Sequence, residues 1–463
     1  MAGNRAYKQG VALIYMIALF LDRLDLTIVN ITLPTVARAF HIALTATDWI
    51  NLAFLLALAI SIPISGWLGE RFGFKRIFII ALILFGLGST LCAAAPNLEI
   101  LVALRFVHGL GGGMLIPTGM TLVYRAYDKS EYASITSFTF LPALIAPAIA
   151  PFLGGVLLDA WSWQLVFLFS GPICLILAVI SGFLLREELH RAKFNLDWPG
   201  FILFSAMLID VFYTMSLLGK ANLLMPIIFG VLLFILLIYA FIAAEKKAKH
   251  ALIDLNFFKH ELFIKANLIQ LCFQICHFGA IFLIGMYLQV GVGMAASMAG
   301  LAMGMQAVGA IMISRHSVKL FNRFGARLPI TIGLLGVAFL SPCILLIRHS
   351  DMLIFAMLLF LLRGLFSGLC GAPIQTLGLV DFEKTQISAV NTVFNAGRQV
   401  SISLGVAISS GLMALGMRYA NISGAYINPN DVLKVFAPGF LAIFVIAMIG
   451  VVITQSLKNN VID

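Results

Sequence analysis

Apolar residues along the chain come in long runs broken by short polar connections. Fourteen runs approach or exceed the roughly 20 residues that a helix needs to cross a bilayer. They cover 11–36, 48–69, 77–95, 98–123, 133–157, 163–185, 197–218, 223–244, 264–290, 296–318, 328–347, 351–376, 386–415 and 433–456. This pattern predicts an all-α polytopic membrane protein with fourteen transmembrane helices. Arg5 and Lys8 precede the first run. That run is too long for the core of a cleaved signal peptide and no small-residue cleavage site follows it, so it is expected to stay as the first span.

Composition agrees with a lipid environment. The chain of 463 residues is 61% hydrophobic and 11% charged, whereas soluble domains carry about a quarter charged residues. A net charge of +10 would suit a nucleic-acid partner, but most Lys and Arg residues sit in connections, and no face or tail collects them. No nucleic acid is expected; the expected partners are a small-molecule substrate, protons and membrane lipids, and the chain is read as a monomer. Six Cys (Cys92, Cys174, Cys272, Cys276, Cys343, Cys370) lie in or at the ends of apolar runs without a CxxC spacing, as small packing residues do.

An even number of spans puts both termini on one side. Connections on that side carry Arg71, Lys75, Arg76, Arg125, Lys129, Arg186, Arg191, Lys193, Lys246, Lys247, Lys249, Lys259, Arg323 and Arg327. The other side carries little beyond Lys220, Arg348, Arg418 and Lys434. The positive-inside rule therefore puts both termini in the cytoplasm.

The chain also repeats itself. Arg71-Phe72-Gly73-Phe74-Lys75 follows the second run, and Arg323-Phe324-Gly325-Ala326-Arg327 follows the tenth, 252 residues later. Arg105 opens a Gly-rich stretch ending at Pro117, and Arg363 opens another ending at Pro373, 258 residues on. Two nearly equal offsets imply two six-helix bundles, 1–190 and 251–463, with a two-helix pair inserted at 191–250.

Several strings, in order and on the expected helices, carry a family resemblance. They are Leu24-Asp25-Leu26-Thr27 through Pro34, Gly66-Trp67-Leu68-Gly69-Glu70-Arg71-Phe72-Gly73 through Arg76, Arg105-Phe106-Val107-His108-Gly109, Pro151-Phe152-Leu153-Gly154-Gly155, Trp161-Ser162-Trp163, Leu252-Ile253-Asp254-Leu255, and Arg398-Gln399-Val400 through Gly405. The chain resembles the fourteen-helix drug:proton antiporters of the major facilitator superfamily. It departs from their pattern at Glu70 (usually Asp), His108 (usually Gln) and Ala150 (usually Gly), and in the additional Asp22-Arg23 pair. The resemblance implies a bacterial inner-membrane exporter, not an enzyme, that needs no cofactor and uses the proton gradient. Its cargo would be a small amphipathic or cationic compound moved by alternating access. A dedicated exporter of one metabolite or siderophore, or a proton-coupled importer, is the alternative.

Charges inside a bilayer are costly and mark function by default. At about 1.5 Å per residue, Asp25 lies about 21 Å from the start of its helix, about 9 Å from the far edge of the hydrocarbon core. Arg105 lies about 10 Å below that same edge. An Asp25–Arg105 ion pair would explain both and could hold a proton; the alternative is a purely structural fastening. His277, at the position of Asp25 in the repeat, is a further proton-coupling candidate or a packed, hydrogen-bonded imidazole. Asp22, His108, Gln274, Arg363 and Arg398 are candidates for the substrate cavity. Glu70, Arg71, Gly73 and Arg76, their counterparts Arg323 and Gly325, and Pro151, Gly154 and Gly155 are expected to act in conformational change. Asp210, in the inserted pair, has no assigned role. Cys272, Cys276 and His277 read as packing in preference to a metal site, and no metal is expected.

Overall fold

The computed structural model describes residues 2–128, 131, 135, 138–139, 141–186, 196–217, 224–248, 255–382, 387–422 and 427–457. Among these, fourteen long α-helices follow in chain order: α1 (Ala2–Ala39), α2 (Asp48–Phe72), α3 (Phe74–Cys92), α4 (Leu98–Ala126), α5 (Leu141–Ala160), α6 (Trp163–Leu184), α7 (Trp198–Ser216), α8 (Leu224–Lys247), α9 (Glu261–Met286), α10 (Ala296–Phe324), α11 (Arg327–Cys343), α12 (Leu353–Leu377), α13 (Ile387–Tyr419) and α14 (Val432–Gln455). Each apolar run of the sequence holds one of them. Lys129, Arg191, Lys193, Lys220, Lys249 and the string Leu252-Ile253-Asp254 lie outside the described residues.

Eleven helical segments are long and apolar enough to cross a membrane. α1 is not among them, because Asp22, Arg23 and Asp25 interrupt its apolar run. α5 and α7 supply the shorter apolar segments Ile145–Ala160 and Trp198–Thr214. At its start α1 runs past the apolar stretch, and there Lys8 Nζ donates to Asp128 at 2.7 Å and Glu131 at 2.6 Å, tying α1 to the segment that follows α4. These contacts hold both carboxyls below the usual carboxylate range.

The first six helices pack on one another, and so do α9 to α14. Within each set the same contact recurs. Gly109 and Gly113 of α4 lie against the α2 backbone at Phe54 and Leu58, and Gly111 against α3 at Ala81 and Phe85. Gly364 and Gly368 of α12, each 255 residues further on, lie likewise against α10 at Gln306 and Ala310. Small residues let the helices approach closely where lipid supplies no hydrophobic drive. The two RFG turns also match. Gly73 has φ 97° and Gly325 φ 73°, a region costly for residues with a Cβ. Each donates its N–H to the carbonyl four residues back, at 2.9 Å (Gly69) and 2.8 Å (Phe321).

α7 packs on both α2 and α13, so it touches both sets of helices. α8 lies outermost, with Phe229, Leu236 and Tyr239 more than half exposed. Such an apolar outer face suits lipid.

The two sets meet at the end of the bundle away from the N-terminus. Gly155 of α5 lies against Ala296 of α10, and Gly300 and Gly304 of α10 against the carbonyls of Pro151 and Ala148. Beside this seam Ser410 donates to Asp48 at 2.7 Å, Gln289 to the Ile31 carbonyl at 3.0 Å, and the Ser297 amide to Asp159 at 2.9 Å.

Candidate functional site

α1 presents two polar faces. At 100° per residue Asp22 and Asp25 share one face, while Arg23, Leu26 and Thr27 share another. The acidic face turns into the first bundle. There Arg105 Nη1 of α4 donates to Asp25 Oδ2 at 2.7 Å, and both side chains are 1% exposed. The guanidinium also donates from Nε to the Ile50 carbonyl at 3.1 Å, lies 4.2 Å from the centre of the Phe54 ring, and meets His108 Nδ1 at 3.0 Å. A guanidinium only donates, so His108 Nδ1 is the acceptor and its proton sits on Nε2. Phe54 and Phe85 hold the imidazole edge-on. Asp25 Oδ1 has no hydrogen-bond partner among the described residues. That free oxygen is where a proton could sit.

Asp22 is fully buried, and neither of its oxygens has a hydrogen-bond partner among the described residues. Its nearest cation is Arg23, at 3.5 Å from Nε.

The buried arginine of the second set has different partners. Arg363 is fully buried in α12, where it donates to Gln306 at 2.6 Å, to the Cys276 carbonyl at 3.0 Å and to Ser341 at 3.4 Å. All three acceptors are neutral. Cys276 itself donates to the Ile443 carbonyl at 3.3 Å. Among the described residues no three potential ligands gather around a metal position.

Between the two sets lies a cavity of about 600 Å³. α1 contributes Arg23 and Thr27, α5 contributes Pro147 and Pro151, and α9 a stripe of Gln270, Gln274, His277 and Ile281 at helical spacing. α10 and α12 contribute Met303, Gln306 and Gln375, and α13 contributes Asn391, Asn395 and Arg398. The lining starts mid-bundle at Arg23 and His277 and reaches Gln375 and Asn391 near the end that holds the N-terminus. The α5–α10 seam closes the opposite end.

Of the residues singled out in the sequence, the structure brings Asp25 and Arg105 together and puts Gln274, His277 and Arg398 on the cavity. It does not put His277 beside Asp25: the imidazole lies between Phe273 and Phe278 in the other half. Asp22, His108 and Arg363 do not line the cavity, because their helix faces turn into the bundle interiors. Arg363 reaches it only through Gln306. Arg71 lies over the Trp67 and Phe72 rings and Arg323 over Phe324, and neither pairs with an acid among the described residues. Gly154 contacts Ile28 of α1, while Gly155 and Pro151 form the seam. Sequence reasoning missed Arg23, whose spacing from Asp25 already separated their faces, and the amides of α10, α12 and α13.

Helical spans around a membrane-embedded cavity, apolar over most of its wall with a few polar side chains, define a multi-pass membrane transporter. The chain belongs to the Major Facilitator Superfamily, whose family model matches residues 15–406. It is similar to the proteins named "Putative multidrug resistance protein MdtD" of Salmonella paratyphi A and Salmonella typhimurium. Each is 31% identical over 404 residues, covering 86% of this chain and 84% of the relative. The fold is similar to that of the peptide transporter POT in complex with sulfate, with TM-score 0.69 and 15% identity, covering 96% of this chain and 94% of that one. It is also similar to a D-xylose–proton symporter, with TM-score 0.66 and 13% identity, covering 97% of each chain.

Proposed function

We propose that this chain exports small amphipathic molecules across the bacterial inner membrane in exchange for protons, with both termini in the cytoplasm. The observation that carries the reading is the buried Asp25–Arg105 pair, whose acid lies on the helix that also sends Arg23 into the cavity. Asp25 is the acid whose protonation would be coupled to transport. Ionised, it is held by Arg105; protonated, it loosens that tie and lets α1 shift with the substrate. The two helix sets rock about the cavity, the α5–α10 seam opening as the opposite end closes. Names of relatives as multidrug resistance proteins support export of foreign compounds, and the Lys and Arg distribution supports the orientation.

The test uses Asp25→Asn, which mimics the protonated acid. Reconstituted in liposomes, the variant should still exchange substrate across the membrane without a gradient and lose uphill, pH-driven accumulation. Asp210→Asn, in the inserted pair, should keep most of it. If Asp25→Asn still concentrates substrate while Asp210→Asn does not, the coupling acid lies in α7.

A further inference from the structure

The charge of the cavity is one-sided. Its lining holds two guanidinium groups, Arg23 from α1 and Arg398 from α13, and the imidazole of His277 from α9, with no Asp or Glu among the described residues. The two arginines come from opposite helix sets and face the same space. Arg23 has a single acid near it, Asp22, and at 3.5 Å that contact is too long for a good hydrogen bond. Arg398 makes neither an ion pair nor a hydrogen bond with any described residue. His277 Nδ1 likewise has no partner. Arg398 thus has no counter-charge among the described residues and Arg23 only the long contact with Asp22. Cations so weakly paired are costly to hold within a membrane, and two that face each other repel. What relieves both costs is a negative ligand between them.

The rest of the wall says what that ligand must be attached to. Phe273, Phe278, Ile281 and Met303 give the cavity apolar surface, and Gln274, free of hydrogen bonds to described residues, offers one more donor. A volume of about 600 Å³ suits a drug-sized molecule. We propose that the ligand is an amphipathic organic anion. Its oxyanion group seats between Arg23 and Arg398 beside His277, and its apolar body rests on Phe273, Phe278 and Ile281. The inference rests on the transport reading above; of the amphipathic or cationic cargo expected from the sequence it keeps the amphipathic character and replaces the positive charge with a negative one. Arginine suits the task because its planar fork binds oxyanions with two parallel hydrogen bonds.

The test uses the purified full-length protein and a matched set of probes: 2-naphthoate, naphthalene-2-sulfonate, 2-naphthyl phosphate, (2-naphthyl)trimethylammonium and 2-naphthol. Calorimetric titration should show the anions binding at least about tenfold more tightly than the cation and the neutral probe, the return from one charge-assisted contact. The order among the three anions tells carboxylate from sulfonate and phosphate. Arg23→Gln and Arg398→Gln should each weaken anion binding about tenfold or more while leaving 2-naphthol unchanged, and Arg398→Lys should recover part of the loss. The wild-type comparison needs no variant to fold. The proposal is overturned if none of the anions binds, if the cation binds more tightly than all three, or if both glutamine variants keep wild-type anion affinity. In liposomes, pH-driven accumulation of the cation alone would overturn the anion site and leave proton-coupled export standing. Anion binding without any pH-driven flux would do the reverse.

Discussion

Arg105 and Arg363 are each buried in the fourth helix of their half of the chain, three residues out of register with each other, and they meet different chemistry. Arg105 faces a carboxylate and a ring nitrogen; Arg363 faces an amide oxygen, a backbone carbonyl and a hydroxyl. Only the first arrangement contains an acid as the partner of the arginine. The asymmetry supports coupling in the first half and bracing in the second. Arg105→Lys tests the geometry, since an ammonium keeps the charge but cannot reach Asp25, the Ile50 carbonyl and His108 together. Leaving a buried acceptor unsatisfied costs about 1–3 kcal/mol. The lysine variant should therefore unfold at lower temperature in detergent and drive uphill transport at least about tenfold more slowly. Wild-type values for both would reduce Arg105 to a spectator. The Asp25–Arg105 pair was legible in the sequence because depth along two helices follows from a fixed rise per residue. Arg23 was legible too, since two residues of helix separate it by about 200° from Asp25, but depth alone says nothing of direction.

At the scale of elements, the contact between α5 and α10 closes the end of the cavity away from the N-terminus. Gly300 lies against the Pro151 carbonyl and Gly155 against Ala296, so a side chain at either place meets backbone, which cannot step aside as a flexible side chain could. Gly300→Val should hold the seam apart and shift the population toward the state open at that end. A cysteine at the cavity position Ala307 reports the shift. In the Gly300→Val background its labelling from the side of the N-terminus should fall, and labelling from the other side should rise. Unchanged labelling on both sides would mean that the seam is not a gate. Pro151, Gly154 and Gly155 stand out in the sequence as bending and small residues, but the strand of backbone each one touches comes from a distant part of the chain. Gly154 meets α1, whereas its neighbour Gly155 meets α10. That difference arises from helix rotation, which no local pattern encodes.

At the scale of the whole molecule, the order of fourteen apolar runs and the Lys/Arg bias make one further prediction. Reporter fusions after Lys129, Lys193, Lys249 and the C-terminus should all report the cytoplasm, because the basic connections lie on one side. A reporter after Lys249 that signals the outside would mean that the inserted pair does not cross twice. The sequence by itself determined the number of long helices found among the described residues, their approximate limits and the internal repeat. Each of these follows from the length of apolar segments, the cost of exposing backbone to lipid, and the glycine that each RFG turn needs at positive φ. Only the tertiary structure decided which polar residues face the cavity and which face a bundle interior. It turned Asp22, His108 and Arg363 inward and brought Arg23 and Arg398 to one space from opposite halves. The reason is physical: a buried charge is tolerated wherever a partner or a polar cavity receives it, and both solutions look alike along one helix. They differ only once the other helices are in place.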